Sequence, residues 1–264
     1  MKHDRLPERG YLVLGAGSAC MALAHALLSG MDIFSVSAVW TVVLVSIAGQ
    51  FIYGSCLVQT YRHGDLSIYY PIIRASPLFI VLAQFIVFGK SYDGLVVVGI
   101  IMVVGAAAVL AAQPGRYFHY EPKPLIFAVL AMMGTGIYSM ADGVAMQNIE
   151  APVLYFWIQV GALFSMFVFY KITGRVGMKD FYGRQHAKIL SIGVMASTIM
   201  YVSYYLILEA YALGGDVALV TTVRQISIPL SVVLGGLFLR ETGMVRRFSA
   251  SVILGIGIAV ALNG

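Results

Sequence analysis

The sequence predicts an all-α polytopic membrane protein of about nine transmembrane helices, arranged as an inverted repeat whose first copy is one helix short. Three observations lead there: the length of its apolar blocks, the one-sided placement of its basic residues, and an arginine-bearing stretch that recurs after 150 residues.

Sixty per cent of the 264 residues are hydrophobic and 11% are charged, with a mean hydropathy of +0.88. An ordinary soluble domain is about a quarter charged. The apolar residues fall into blocks near the roughly 20 residues that carry a helix across a hydrocarbon core. Nine can be drawn: 10–29, 34–60, 66–89, 94–113, 125–147, 152–172, 187–212, 216–239 and 245–263.

The first block contains "VLGAGSAC" (13–20), which has the outline of a dinucleotide-binding glycine loop. That loop needs a strand before it, a small third residue and a later ribose-binding acid. Here Cys20 holds the third position within continuous apolar sequence, so Gly15 and Gly17 read as close-contact points between helices in lipid. The same block, with "AHA" near its end, has the outline of a signal peptide. Its apolar run is longer than a usual signal core, and it is expected to stay as a span. Cys20 and Cys56 both fall inside spans and suggest packing, with neither a disulfide framework nor a metal site.

The third and eighth blocks carry Arg74 and Arg224 and open on Asp65 and Asp216, which read as helix caps. The fourth, "GLVVVGIIMVVGAAAVLAAQ", has no ionisable group, whereas the fifth contains Asp142 and the seventh Glu209. The connections are short, leaving no room for a soluble domain.

The net charge of +5 suggests nucleic acid only until the charges are placed. Outside the spans, 14 Lys and Arg fall on one face of the alternating topology, against Lys90 alone on the other. Basic residues are retained on the cytoplasmic side. A multi-pass protein of the cell membrane is expected, with a cytoplasmic N-terminus and, after nine spans, an external C-terminus; its surroundings are lipid bilayer, not nucleic acid.

"QTYRHGDLSIYYPIIR" (59–74) aligns with "EAYALGGDVALVTTVR" (209–224). Tyr61 to Arg74 and Tyr211 to Arg224 are both 13 residues apart, and Lys90 falls opposite Arg240. "GIIMVVG" (99–105) matches "SVILGIG" (251–257) with a slip of two. Matching spans are five apart, and an odd separation reverses direction across a bilayer, so the copies are expected to be antiparallel. They occupy 1–113, with four helices, and 125–263, with five. Inverted repeats of this kind are found in alternating-access transporters, with the solute held near the midplane.

The stretches "YRHGDLSIYYPIIRASPLFIVLAQFIVFGK" and "YALGGDVALVTTVRQISIPLSVVLGGLFLRE", together with "YSMADGVAMQ" (138–147) and "SVILGIGIAVAL" (251–262), resemble the EamA-type transporters of the drug/metabolite transporter superfamily. The resemblance covers about residues 35–263. It implies an inner-membrane carrier of small metabolites with a central cavity between two five-helix repeats. Such carriers have ten helices and both termini cytoplasmic, and this chain departs on each point.

An arginine at the bilayer centre costs about 3 kcal/mol on insertion scales and is kept where it faces a partner or a wet cavity. Arg74 lies about 12 Å of helix rise inside its span, too deep for easy snorkelling. Arg74 and Arg224 are therefore candidates to bind a carboxylate or phosphate through their planar forks. Tyr70, one turn before Arg74, and Trp157 are the aromatic candidates for the solute path, although belts of Tyr and Trp at the interface are the commoner use. Trp40, Tyr69, Tyr204 and Tyr205 are weaker candidates of the same kind. Asp142 and Glu209 are candidates for proton or ion coupling, or else for pairing with the arginines. Pro71 and Pro77 bracket Arg74, and Pro229 follows Arg224, so kinks are expected beside both cations.

A secondary transporter is thus expected, an exporter or exchanger of a small anionic or zwitterionic organic metabolite such as an amino acid, using a coupling ion and no cofactor. Its candidate assembly is a homodimer. A non-transporting scaffold or sensor subunit is the alternative. A membrane-embedded enzyme would need clustered catalytic or metal-binding groups, but His3, His25, His63, His119 and His186 are scattered and only His25 lies in a span.

Overall fold

The computed structural model describes residues 6–63, 66–111, 121–173, 186–230 and 244–264. All of its regular structure there is helical. In chain order the elements are α1 (Leu6–Leu28), a 3₁₀ turn (Ile33–Val39) leading into α2 (Trp40–His63), α3 (Leu66–Arg74), α4 (Ser76–Phe88) and α5 (Gly94–Ala111). They continue with α6 (Pro122–Ala145), α7 (Ala151–Ile172), α8 (His186–Ala212), α9 (Val217–Val223), a second 3₁₀ turn (Arg224–Ile226) and α10 (Met244–Leu262). Among the described residues five helical stretches are long and apolar enough to cross a membrane: Ile33–Thr60, Tyr69–Phe88, Pro122–Ala145, Ala151–Ile172 and Gly193–Ala212.

The expected spans match these elements within a few residues except the eighth, whose part from 231 to 239 lies outside the described residues, and the apolar surface explains why. On α4, Leu82, Phe85 and Ile86 are 56%, 60% and 69% exposed. In water such a patch would drive association; in lipid it is the solvent-facing side of the helix. Cys20 is exposed on α1 and Cys56 is half-buried, so neither thiol is the buried packing residue that the sequence suggested.

The chain forms two compact units. The first comprises 1–58 and 137–214, the second 59–136 and 215–264, so each combines two separated stretches of the sequence. In the first unit α1 packs on α7 and α8. A Cβ at Gly15 would lie 2.7 Å from Leu163 Cδ2, and one at Gly17 would collide with Ser197. Ser197 Oγ also donates to the Leu14 carbonyl at 3.1 Å. The "GAGSAC" segment is therefore helix interior, and its glycines let neighbouring helices close in.

In the second unit α5 lies along α10 in opposite directions. Leu95 and Val96 meet Gly264, Gly99 meets Gly257 and Ala261, and Val103, Ala106, Ala107 and Leu110 pack with Ala250, Leu254 and Ile258. A Cβ at Gly99 would fall 2.6 Å from the Gly257 carbonyl oxygen, so the two backbones touch with no side chain between them.

Candidate functional site

The third and eighth expected spans are both interrupted, and each interruption falls at an arginine. In the second unit α3 ends at Arg74 and α4 begins at Ser76, with Pro77 in its first turn. Proline has no N–H to give and disfavours helical geometry before it. The next main-chain bonds are accordingly short-range: Ala75 N–H to Ile72 O at 3.1 Å and Leu78 N–H to Ala75 O at 3.1 Å. Pro71, by contrast, sits inside α3 without breaking it; of the two prolines expected to kink this span, Pro77 is the one at the break.

The second interruption is built differently. Asp216 caps α9, its Oδ1 accepting from Leu219 N–H at 3.0 Å; Asp65, also expected to be a cap, lies outside the described residues. The buried hydroxyls of Thr221 and Thr222 donate back to the carbonyls of Val217 at 2.6 Å and Ala218 at 2.7 Å. Such back-bonding bends helices. The helix tightens into the 3₁₀ turn at Arg224, and Pro229 withholds the N–H that Gln225 O would otherwise receive. Ser227 Oγ donates instead to Arg224 O at 3.0 Å.

The two breaks are joined. Gln225, only 2% exposed, donates from Nε2 to the Arg74 carbonyl at 3.0 Å, the main-chain group left over by the first break. Arg74 Nε–H donates to Tyr70 Oη at 2.8 Å, and its guanidinium carbon lies 5.0 Å from the Tyr70 ring centroid, a cation–π contact of about 0.5–2 kcal/mol. Arg74, half-buried, thus forms one constellation with Tyr70 and Gln225, and Arg224, also half-buried, precedes Gln225 in the 3₁₀ turn. Gln225 was not anticipated from the sequence; an amide in an otherwise apolar block was the signal available.

At the rim of this unit, Asp216 Oδ2 accepts from Tyr92 Oη at 2.9 Å and pairs with Lys90, while Tyr92 Oη also lies against the Gln84 side chain. Burial, and then the Asp216 carboxylate, push the Tyr92 phenol well above its ordinary pKa.

The first unit holds the two acids expected to couple, Asp142 and Glu209. Asp142, on α6, is fully buried. Ser46 Oγ from α2 donates to its Oδ1 and Tyr204 Oη from α8 to its Oδ2. Burying a carboxylate is costly unless it is hydrogen-bonded, and hydroxyl donors to a charged oxygen are among the stronger hydrogen bonds. Around it the rings follow one another. Tyr138 lies 6.1 Å from Tyr204, Tyr204 5.6 Å from Tyr155, and Tyr155 5.2 Å from Tyr201. Tyr201 Oη reaches His25 Nδ1 on α1 at 2.6 Å. Gln159 donates to Ser18 Oγ at 3.0 Å.

Glu209 is half-buried on α8, one turn after Tyr205 on the same helix face. Trp157 donates its indole N–H to the Ile33 carbonyl at 2.9 Å and meets Trp40 edge-on at 5.6 Å, so its polar atom serves the main chain. Tyr69 is buried, and its hydroxyl accepts from Glu121 N–H at 2.9 Å. Of the six expected site residues, Arg74, Arg224 and Tyr70 fall in the second unit, and Asp142, Glu209 and Trp157 in the first. Among the described residues no group of three His, Cys, Asp or Glu could hold a metal ion.

No family model matches the chain, and no curated protein does. A solved crystal structure of a protein 18% identical to it superposes with a TM-score of 0.74, covering 99% of this chain and 89% of that one. At that identity the likeness is one of fold alone.

Proposed function

We propose that this chain is a secondary carrier of the EamA type within the drug/metabolite transporter superfamily, moving a small anionic or zwitterionic organic metabolite across the cell membrane. The observation that carries the reading is the pair of broken helices. Two segments aligned by the sequence repeat both lose their regular hydrogen bonding at an arginine, and Gln225 links one break to the other. In a membrane, irregular backbone is tolerated where it is buried in protein or lines a wet cavity, and carriers use discontinuous helices to hold their solutes. The guanidinium groups of Arg74 and Arg224 would bind the anionic part of the solute.

The pairing of α5 with α10 supports an inverted repeat. These helices contain the matched segments 99–105 and 251–257, and they run in opposite directions with Gly99 against Gly257. Asp142, buried between Ser46 and Tyr204, has the surroundings of a carboxylate that takes up and gives back a proton during the cycle. Glu209 is the second coupling candidate. Energy would come from an ion gradient or from exchange. With the basic face inside, the N-terminus is cytoplasmic and the C-terminus external.

The test is uptake into proteoliposomes by Arg74→Gln and Arg224→Gln, across a panel of amino acids, carboxylates and organic phosphates. Each variant is expected to lose at least about tenfold in flux, the cost of one charge-assisted contact. Unchanged flux in both would remove the arginines from the path, and with them the basis of the reading.

A further inference from the structure

His25 is the histidine that falls inside an expected span, and the first unit places it among phenols. Helices α1 and α8 run side by side in the same direction: a Cβ at Gly193 would touch Val13, Ser197 Oγ bonds Leu14 O, and His25 meets Tyr201. His25 Nδ1 lies 2.6 Å from Tyr201 Oη, and its ring centroid is 5.2 Å from that of Tyr205. Tyr201, Tyr205 and Glu209 follow at steps of four along α8, so one face carries all three. From α7, the Tyr155 ring lies 5.2 Å from that of Tyr201. On α1 itself, residues 21–24 and 26–29 have no ionisable side chain. Asp32, after α1, and Glu150, before α7, line one cavity and are exposed.

The contact at 2.6 Å can be made in two ways. A neutral imidazole accepts from the Tyr201 hydroxyl through Nδ1 and keeps its hydrogen on Nε2. An imidazolium donates from Nδ1, and the phenol oxygen accepts. Adding a proton forms one N–H bond, breaks no covalent bond and exchanges donor for acceptor. The charge then lies within the ~6 Å at which an aromatic ring attracts a cation, with the Glu209 carboxylate one turn beyond Tyr205 on α8. Asp142 has no such exposure. It is fully buried, with both oxygens held by hydroxyls, so its proton must pass through neighbours. Those neighbours are Tyr204, then Tyr155 and Tyr201 in ring contact, and then His25, which is half-buried.

We propose that His25 is the proton-exchange site through which Asp142 reaches the aqueous end of α1 and α8, with Tyr201 holding its ring and Glu209 as counter-charge. Each phenol gives its proton onward and takes the next, so none is left charged. Chains of carboxylate and histidine carry protons in transporters. This rests on the carrier reading for the traffic to Asp142, while the protonation of His25 stands without it.

The experiment uses the full chain in detergent, labelled with nitrogen-15 histidine and read by nitrogen spectra between about pH 8 and 5; the His25 signals are those lost in His25→Gln. At the alkaline end His25 is expected to be neutral with its hydrogen on Nε2, and at the acid end to have hydrogen on both nitrogens. Tyr201→Phe should abolish the preference for Nε2. Glu209→Gln, which keeps the size of the side chain, should require about tenfold more acid for the same protonation, and it serves where the phenylalanine variant does not fold. Counterflow in proteoliposomes should lose its pH dependence in His25→Gln. A His25 that stays neutral throughout, a tautomer unchanged by Tyr201→Phe, protonation unchanged by Glu209→Gln, or a wild-type pH profile in His25→Gln would each overturn the proposal. Protonation as expected in a chain that moves no solute would instead remove the carrier reading and leave the His25 site standing.

Discussion

Gln225 Nε2 donates to the Arg74 carbonyl at 3.0 Å, tying two interrupted helices that lie 151 positions apart in the chain. A main-chain carbonyl released by one break is thereby satisfied by a residue within the other.

Asp142 is expected to set the pH dependence of flux. Asp142→Asn keeps the size of the side chain and its contacts with Ser46 and Tyr204 but cannot exchange a proton. Counterflow measured between about pH 5 and 8 should lose its pH dependence in this variant while protein yield holds; a profile unchanged from wild type excludes Asp142 as the coupling group. Ser46→Ala and Tyr204→Phe each remove one donor to a buried carboxylate and should lower stability by about 1–3 kcal/mol, read as a lower Tm in detergent.

The contact between α5 and α10 should tolerate no added bulk at its tightest point. Gly99→Leu would drive a side chain into the Gly257 and Ala261 backbone, and overpacking of this kind costs about 1–3 kcal/mol or more. Gly105 and Gly255, on the same two helices, have open space where a Cβ would stand. Thermal unfolding should separate the cases: a clear loss for Gly99→Leu, and Tm close to wild type for Gly105→Leu and Gly255→Leu.

Asp216 should matter more than its ionic partner. Lys90 is 47% exposed, and exposed ion pairs are worth about 0–1 kcal/mol, so Lys90→Met should shift Tm little. Asp216→Ala loses the cap on Leu219 and the bond from Tyr92 as well. Its expected cost is about 1–3 kcal/mol, and equal effects of the two substitutions would contradict this ranking.

Tyr92 should carry an alkaline limit. Its phenol is held above the ordinary value of 10.0 in the folded protein, by burial first and then by Asp216. The folded state then keeps a proton that the unfolded state gives up. The resulting stability is complete below about pH 10 and is lost as the pH climbs from there toward the raised pKa. The Tm difference between wild type and Tyr92→Phe should be constant below about pH 10 and shrink above it.

The helices were largely legible because blocks of uninterrupted apolar residues in a bilayer have one economical conformation. The boundaries expected at 94–113 and 152–172 fall within two residues of Gly94–Ala111 and Ala151–Ile172. The site was legible in part. Arg74 with Tyr70, and Asp216 as a cap, follow from spacing within one helix. Ser46 and Tyr204 meet Asp142 from other helices, 96 and 62 positions away, and no local pattern announces such a meeting. Trp157 shows the converse: an aromatic residue that composition marks as available has its polar atom committed to Ile33 O.

Each compact unit is assembled from stretches far apart in the chain, 1–58 with 137–214 and 59–136 with 215–264. During synthesis the second unit therefore waits for 215–264 to follow 59–136 out of the ribosome. Until then α5 lacks α10, the helix that covers Gly99 in the folded unit. A chain stalled before residue 244 would leave the seam at Gly99 without its partner helix.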